Sequence, residues 1–395
     1  MTPPGAMVVV PPTVGHVNHG VALANVVREA GFLPVLITGT AALGHVRRLN
    51  LEYPWACLPS HDLEHLDRDD PRRRPHLEQL CDPRLVRAAV RDQRDLVARH
   101  RAAMVIGKDY FAAVLTAAAC GIPYVSYYTD GVEALLHATS RQTVSDPDGL
   151  TRNLREVAAK EAIDVDLATV PDTLRSGVLN IVRGFPRTAA VAPQAWQADE
   201  DTIVFAGALT YDASVAEVDR WSRLIAELGR PLYYVTFGTT LGDPRRFAAV
   251  ADAAQSPAGR WLVADPDDEF PAAASHVVVE RYVPNAAALA NATVVMHHGG
   301  HGTTLSALMA GVPQLVVPDN PRTQQSTHGL VLQELGVGQL MSAQECSGEA
   351  IVDGIANLSQ PAVRARALGL SDRLRADSEA YRSELTRRLA AVGRG

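Results

Sequence analysis

The segment VVMHHGGHGTTLSALMAGVPQLVVP, Val294 to Pro318, carries the residue types most able to do chemistry in this chain. An apolar run ends at His297, a turn follows with Gly299, Gly300 and Gly302, and Leu305, Leu308 and Met309 then repeat at helical spacing. Glycines let backbone N–H groups approach an anion closely, and a helix N-terminus adds roughly half a positive charge, so this turn reads as an anion site. No Gly-Lys-Ser/Thr follows and the G-x-G-x-x-G spacing is absent, which excludes a Walker A loop and a dinucleotide fingerprint. The pair His297 and His298 replaces the P-loop lysine, with N–H groups to offer a diphosphate. The plainer alternative is two histidines beside a core.

A second strand–turn–helix signal lies near the N-terminus, in VVVPPTVGHVNHG, with His16 at the turn and His19 three residues on. An imidazole with a pKa near 6.5 suits a general base at neutral pH. In VIGKDYFAA, Asp109 follows another apolar run and precedes a helix, where a carboxylate could orient His16 as in sites that activate a hydroxyl nucleophile. Asp109 as a helix N-cap is the competing reading.

The elements that must hold these residues are legible as alternating runs. Strands are expected at Met7–Val10, Leu33–Thr38, Ala103–Ile106 and Tyr124–Tyr128, with helices at Gly20–Ala30 and Phe111–Cys120. The second half expects strands at Leu232–Phe237, Trp261–Ala264, Val277–Val279, Val294–His297 and Gln314–Val317. Continuous apolar strands alternating with helices imply parallel sheets covered on both faces. The fold class is therefore α/β, with two doubly wound Rossmann-like domains facing across a cleft. The expected boundaries are 1–208 for the first domain, 209–230 for a linker and 231–395 for the second, whose C-terminal stretch, Pro361–Val392, reads as a surface helix packed on it. Within Asp67–Arg101, Arg84, Arg87, Arg91 and Arg94 fall opposite Val86, Ala89, Val90 and Val97, an amphipathic helix whose charged face reads as solvated rather than as a membrane or anion surface.

Composition sets outer limits. With 37 basic and 44 acidic residues the net charge is −7, which disfavours a polyanion-coating role, so no nucleic-acid partner is expected. Cys57, Cys81, Cys120 and Cys346 are widely spaced and form no C-x-x-C pair, so neither a disulfide framework nor a thiolate zinc site is expected. No membrane span and no signal peptide are expected either, and a reducing cytoplasm fits. Two Asp-Pro-Asp triplets, Asp146–Asp148 and Asp265–Asp267 with Asp268 following, are the sequence's nearest approach to a divalent-metal site. A proline inside each reads more simply as a turn.

The segments GHVNHGVALANVVREAGF, VTFGTT, RYVPNAAALANATVVMHHGGHGTTLSALMAGVPQLVVP and ELGVG together resemble family-one glycosyltransferases of the GT-B fold, the bacterial natural-product branch in particular. The resemblance implies an inverting, metal-independent transfer of a sugar, a deoxysugar included, from a dTDP or UDP donor to a small natural-product acceptor, in a monomer or homodimer with no cofactor beyond the nucleotide sugar. By that resemblance His16 is the base, assisted by Asp109. His298 binds the diphosphate with Gly300, Gly302 and Thr303. Gly238, Thr239 and Thr240 meet the phosphates, while Tyr282 and Val283 form the nucleobase wall. Members usually carry an Asp-Gln or Glu-Gln pair that contacts the donor sugar; here Gln324 and Gln325 stand in its place, with Asp319 as a substitute carboxylate. The second departure is His19, where proline is common, and it reads as a helix-start variant. The acceptor wall would come from Pro59–Pro83 and Tyr127–Arg141. Other functions considered on the same scaffold are a nucleotide-sugar epimerase and a non-catalytic partner of another transferase.

Overall fold

A computed structural model describes residues 3–62, 76–107, 111–129, 147–167, 177–186, 188, 200–211, 213–238, 244–255, 258–271, 274–319 and 324–393. The chain divides into two compact units: Met1–Arg187 with Val191–Tyr211 and Ser378–Gly395, and Thr188–Ala190 with Asp212–Asp377.

The first unit is built on seven parallel strands: β1 (Gly5–Val9), β2 (Leu33–Gly39), β3 (Trp55–Leu58), β4 (Ala102–Gly107), β5 (Tyr124–Thr129), β6 (Leu179–Arg183) and β7 (Ile203–Phe205), in the order β3-β2-β1-β4-β5-β6-β7. Side chains alternate across a strand, and β1 shows the consequence. Met7 and Val9 enter one core with Val35, Ile37 and Val105, while Ala6 and Val8 enter another with Leu36, Met104 and Ile106. Both faces are thus apolar, and helices must cover both. Helix α1 (Val14–Glu29) and α2 (Leu43–Leu49) precede α3 (His76–Leu80), α4 (Pro83–His100), α5 (Phe111–Cys120) and α6 (Pro147–Lys160). On α4 the apolar face is the expected one, with Val86, Ala89, Val90 and Val97 buried, and Arg87 and Arg91 both donate to Glu161 at 2.8 and 2.9 Å. Tyr127, for which the sequence leaves an acceptor wall and burial in the strand equally open, is 1% exposed in the core.

The second unit repeats the scheme with six parallel strands: β8 (Leu232–Thr236), β9 (Arg260–Ala264), β10 (Val277–Glu280), β11 (Val294–His297), β12 (Gln314–Val316) and β13 (Gly338–Leu340), ordered β10-β9-β8-β11-β12-β13. Its helices are α7 (Val215–Ala226), α8 (Pro244–Ala253), α9 (Asn285–Asn291), α10 (His301–Ala310), α11 (Gln324–Glu334), α12 (Gly348–Leu358) and α13 (Pro361–Val392). In both sheets the strand order reverses once, between β1 and β4 in the first unit and between β8 and β11 in the second. Ligands of open parallel sheets bind at that reversal, outside the carboxyl ends of the strands. His16 follows β1; Gly238 follows β8 and His298 follows β11.

Three local expectations change. Helix α1 begins at Val14, not Gly20, because Thr13 is its N-cap and accepts from the His16 N–H at 3.5 Å. The expected linker contains α7, capped by Ser214, with Ile225 buried in the second unit. The expected placement of Pro361–Val392 on the second domain changes at its far end. Ala367, Leu370 and Leu374 are buried and Ser371 Oγ donates to Met309 O at 2.6 Å, but Leu385 and Leu389 join the first unit's core and Arg388 donates to Ile203 O at 2.9 Å. Four strands, β3, β6, β7 and β13, come in addition to the apolar runs; β3 and β7 are only four and three residues long, while β6 and β13 carry the polar residues Asn180, Arg183 and Gln339.

Leu389 is fully buried. Leu389→Ala is expected to lower stability by about 2–5 kcal/mol in urea titration. A cost near zero would show that the helix end contributes nothing to the first unit's core.

Candidate functional site

In the second unit, β11 runs into α10 through the turn His298–Gly299–Gly300. Among the described residues four histidines surround this turn: His301 opens α10 with its buried ring 5.3 Å from that of His328, and the other three divide the contacts to the turn. His297 is fully buried; its Nδ1 accepts from the Gly299 N–H at 3.1 Å, so its Nε2 carries the proton and donates to Gln314 Oε1 at 2.9 Å. Gln314 passes the contact on, donating to Thr304 O at 3.3 Å. His328, from α11, donates from Nδ1 to Gly299 O at 2.7 Å. The Gly299 backbone is therefore held at both its N–H and its C=O. Glycine is required there: φ is +88°, and a Cβ would sit 2.5 Å from the Gln325 carbonyl oxygen, backbone that cannot swing aside.

His298 is the histidine left for a ligand. Its ring lies between two glycines, since a Cβ on Gly238 would fall 2.7 Å from its Cε1 and one on Gly300 would fall 2.5 Å from its Nε2. Its Nδ1 is buried and has no hydrogen-bond partner among the described residues. Burial lowers its pKa, with Arg246 and His328 adding to the effect and Asp319 opposing it, so the ring is predominantly neutral at pH 7. Beside it, Gly300 is the N-cap of α10 and offers no side chain to the helix N-terminus. The first intrahelical bond is Thr304 N to Gly300 O at 3.0 Å, which leaves the N–H groups of His301, Gly302 and Thr303 as the unsatisfied first turn. A neutral imidazole and a bare helix N-terminus on one glycine-lined turn make a receptor for an anion.

Among the other expected donor residues, Gly238 lies two residues past the end of β8, against the His298 ring; Thr239 and Thr240 lie outside the described residues. Tyr282 is half-buried ahead of α9, and Val283 turns its side chain into the core, leaving only its backbone for a ligand. Gln324 opens α11. Gln325 does not stand alone: its Oε1 accepts from Asp319 N–H at 2.8 Å and its Nε2 donates to Asp319 Oδ2 at 3.1 Å. Asp319 also accepts from Arg246. The carboxylate considered as a substitute sugar ligand is thus tied to its own loop. Of the Asp-Pro-Asp residues, Asp265 is buried and accepts from Phe270 N–H at 2.7 Å, while Asp268 faces Arg281 at 3.8 Å. These are turn and ion-pair contacts, and no group of three metal-ligating side chains occurs among the described residues.

In the first unit His16 occupies the first turn of α1, half-buried, with its Nδ1 2.9 Å from Thr13 Oγ1. Its expected partner Asp109 lies outside the described residues. His19, on the next turn, is buried with its ring 6.1 Å from that of His16, and its Nε2 accepts from Arg183. Arg183 is 1% exposed and also donates to Leu209 O at 3.0 Å. The contact with Arg183 occupies the Nε2 lone pair of His19 within the unit. Sequence reasoning missed Arg246, His328, Arg183 and Thr13. Only Thr13 carried a readable signal, as a hydroxyl just before a helix.

Residues 267–392 match the family model for the erythromycin biosynthesis protein CIII-like C-terminal domain. An uncharacterized glycosyltransferase of Mycobacterium tuberculosis is 27% identical over 177 residues, 43% of this chain and 41% of that protein. The elloramycin glycosyltransferase of Streptomyces olivaceus is 40% identical over 101 residues, 22% of this chain and 25% of its own. The chain thus matches less than half the length of these relatives. Over nearly the full length, the crystal structure of the glycotransferase of kitacinnamycin superposes with a TM-score of 0.74 at 18% identity, covering 98% of this chain and 99% of the other. The fold is the two-domain GT-B architecture.

Two tests follow from the turn. Gly299→Ala is expected to cost about 1–3 kcal/mol or more, because both φ and the Gln325 backbone resist it. Gly300→Ala meets only a side-chain tip, so the fold should persist while the His298 NMR resonances move; equal costs for both would refute this division. The second concerns acid. Burial lowers the pKa of His297 to about 3 and of His61 to about 4, and burial with Arg48 lowers that of His45 to about 4. Unfolded, each takes a proton near 6.5, so the unfolded state binds more protons below that pH. Stability should be full above pH 6.5 and fall steadily toward pH 4 in urea titrations; a flat profile would contradict the neutral assignments.

Proposed function

We propose that this protein is an inverting, metal-independent glycosyltransferase that moves a sugar, plain or deoxy, from a dTDP or UDP donor to a small natural-product acceptor of the antibiotic type. The observation that carries the reading is His298, seated between Gly238 and Gly300 with an unpartnered buried Nδ1 beside the uncapped N-terminus of α10. The names of the partial relatives and the family model over the same segment support it.

In this reaction the second unit binds the donor. His298 and the N–H groups of the first turn of α10, with Gly300, Gly302 and Thr303 leaving room for them, hold the diphosphate. Gly238, Thr239 and Thr240 meet its oxygens from the neighbouring strand end, and Tyr282 with the Val283 backbone receives the base. Gln324 faces the sugar, with Gln325 offering only what its two bonds to Asp319 leave free. As the bond from the anomeric carbon to the diphosphate breaks, negative charge grows on the leaving oxygen. Donors fixed in advance at that oxygen stabilise the transition state more than the ground state.

The first unit supplies the base. A proton on Nδ1 of His16, directed to Thr13 Oγ1 and assisted by Asp109, leaves Nε2 with a lone pair to remove the acceptor hydroxyl's proton. The freed oxygen attacks the anomeric carbon on the face opposite the diphosphate, so configuration inverts in a single displacement. The proton ends on His16 and the electron pair on the departing diphosphate. The nucleotide sugar is a co-substrate, and the reading assigns no further cofactor.

Calorimetric titration with dTDP, UDP, GDP and ADP, each with and without EDTA, tests this reading. A base-selective signal that survives EDTA is expected, lost in His298→Ala and kept in His16→Ala. Turnover should fall about 10²–10³-fold in His298→Ala and nearly vanish in His16→Ala. Failure of the wild type to bind any of the four would favour the accessory-protein alternative, and turnover by His16→Ala at the wild-type rate would remove the base assignment.

A further inference from the structure

Arg246, on α8, is one of the largest fully buried side chains of the chain, 2% exposed. Its guanidinium lies over the Phe237 ring, 4.5 Å from the centroid. Nη1 donates to Val317 O at 3.1 Å, just past the end of β12, and Nη2 donates to Asp319 Oδ1. Asp319 in turn holds the Gln325 carboxamide by two bonds, 2.8 Å through its backbone N–H and 3.1 Å through Oδ2. The Gln325 main chain is what packs on Gly299, and Gly299 adjoins His298. One continuous set of contacts therefore joins α8, the end of β12, the start of α11 and the turn that carries His298.

Burying the Arg246 guanidinium beside an Asp319 carboxylate that itself keeps only 18% of its surface in water is seldom the most stabilising choice, since both lose hydration. The planar fork of arginine is suited to serve two acceptors and a ring at once, which a lysine ammonium is not. Such a costly pair is better explained by what it holds in place than by stability.

We propose that Arg246 is a positioning residue for the anion site: acting through Asp319 and Gln325, it fixes the backbone packed on Gly299 and so the seat of His298. The inference rests on the reading of that site as a nucleoside diphosphate site. Arg246 touches no ligand in this account. Its effect is lost when Asp319 can no longer transmit it.

The test is a double-variant cycle read by calorimetric affinity for UDP or dTDP, whichever the wild type binds, with donor and acceptor KM measured in parallel. Arg246→Met should weaken nucleotide binding about tenfold and raise the donor KM without changing the acceptor KM. Asp319→Asn should do the same, and Arg246→Met/Asp319→Asn should be no worse than either single change. Thermal unfolding confirms that each variant is folded. If Arg246→Met fails to fold because Asp319 is left unpaired, Asp319→Asn and the double variant, which remove that charge, carry the test with the same expectation. Wild-type affinity in the folded Arg246 or Asp319 variants, while His298→Ala has lost it, overturns the inference alone. Additive losses in the double variant would place Arg246 on the ligand and also overturn it. No nucleotide binding by the wild type overturns the site reading and the inference with it.

Discussion

The backbone of Gly299 is held on both sides by buried imidazoles, its N–H by His297 and its carbonyl by His328. Everything distinctive about the second unit's turn depends on that grip. Because the backbone bonds are satisfied from below, the turn can pass from β11 into α10 without a side-chain cap, and the helix N-terminus stays bare. Because Gly238 and Gly300 carry no Cβ, the His298 ring has room between them, where a Cβ on either would fall within 2.7 Å of it. The glycines act first as space for an imidazole and for the α11 backbone. Any close approach by phosphate is a consequence of that space.

The two units solve one problem with one topology. A fully parallel sheet must be apolar on both faces and must change direction of winding once, and the point of reversal leaves a gap at the strand ends. Each unit places a histidine beyond a strand at that point: His16 in the first turn of the helix after β1, and His298 directly after β11. Their environments differ in a way that suits different tasks. Both rings are half-buried, but His16 is joined to a hydroxyl, whereas His298 has a buried Nδ1, a pKa lowered chiefly by desolvation, and the Arg246–Asp319 pair nearby.

Much of this was legible in the residues. Apolar runs such as Val294–His297 and Phe111–Cys120 coincide with their elements because a strand or helix buried on all sides leaves an unbroken apolar signal. The turn glycines and His298 were legible for the same reason, as a polar interruption between two such runs. What the sequence hid are contacts whose partners lie far apart. Arg246 and Asp319 are 73 residues apart and His328 reaches Gly299 across 29, and no periodicity connects them. The start of α1 was misplaced because Pro11, Pro12 and Gly15 look like loop, while the Thr13 cap outweighs them. The C-terminal helix follows the second domain in the chain and its composition says only that it is helical, not what it packs against; Leu385 and Leu389 lie in the first unit's core.

The most direct measurement of the central claim is histidine-selective NMR of the protein titrated with dTDP or UDP across pH. The account predicts that the His298 resonances shift and saturate with nucleotide, and that its pKa rises in the complex as the diphosphate's negative charge favours the imidazolium. His297, locked between Gly299 and Gln314, should remain neutral throughout. If the His298 resonances and pKa are unchanged at saturating nucleotide, the turn is not the diphosphate site and the account fails.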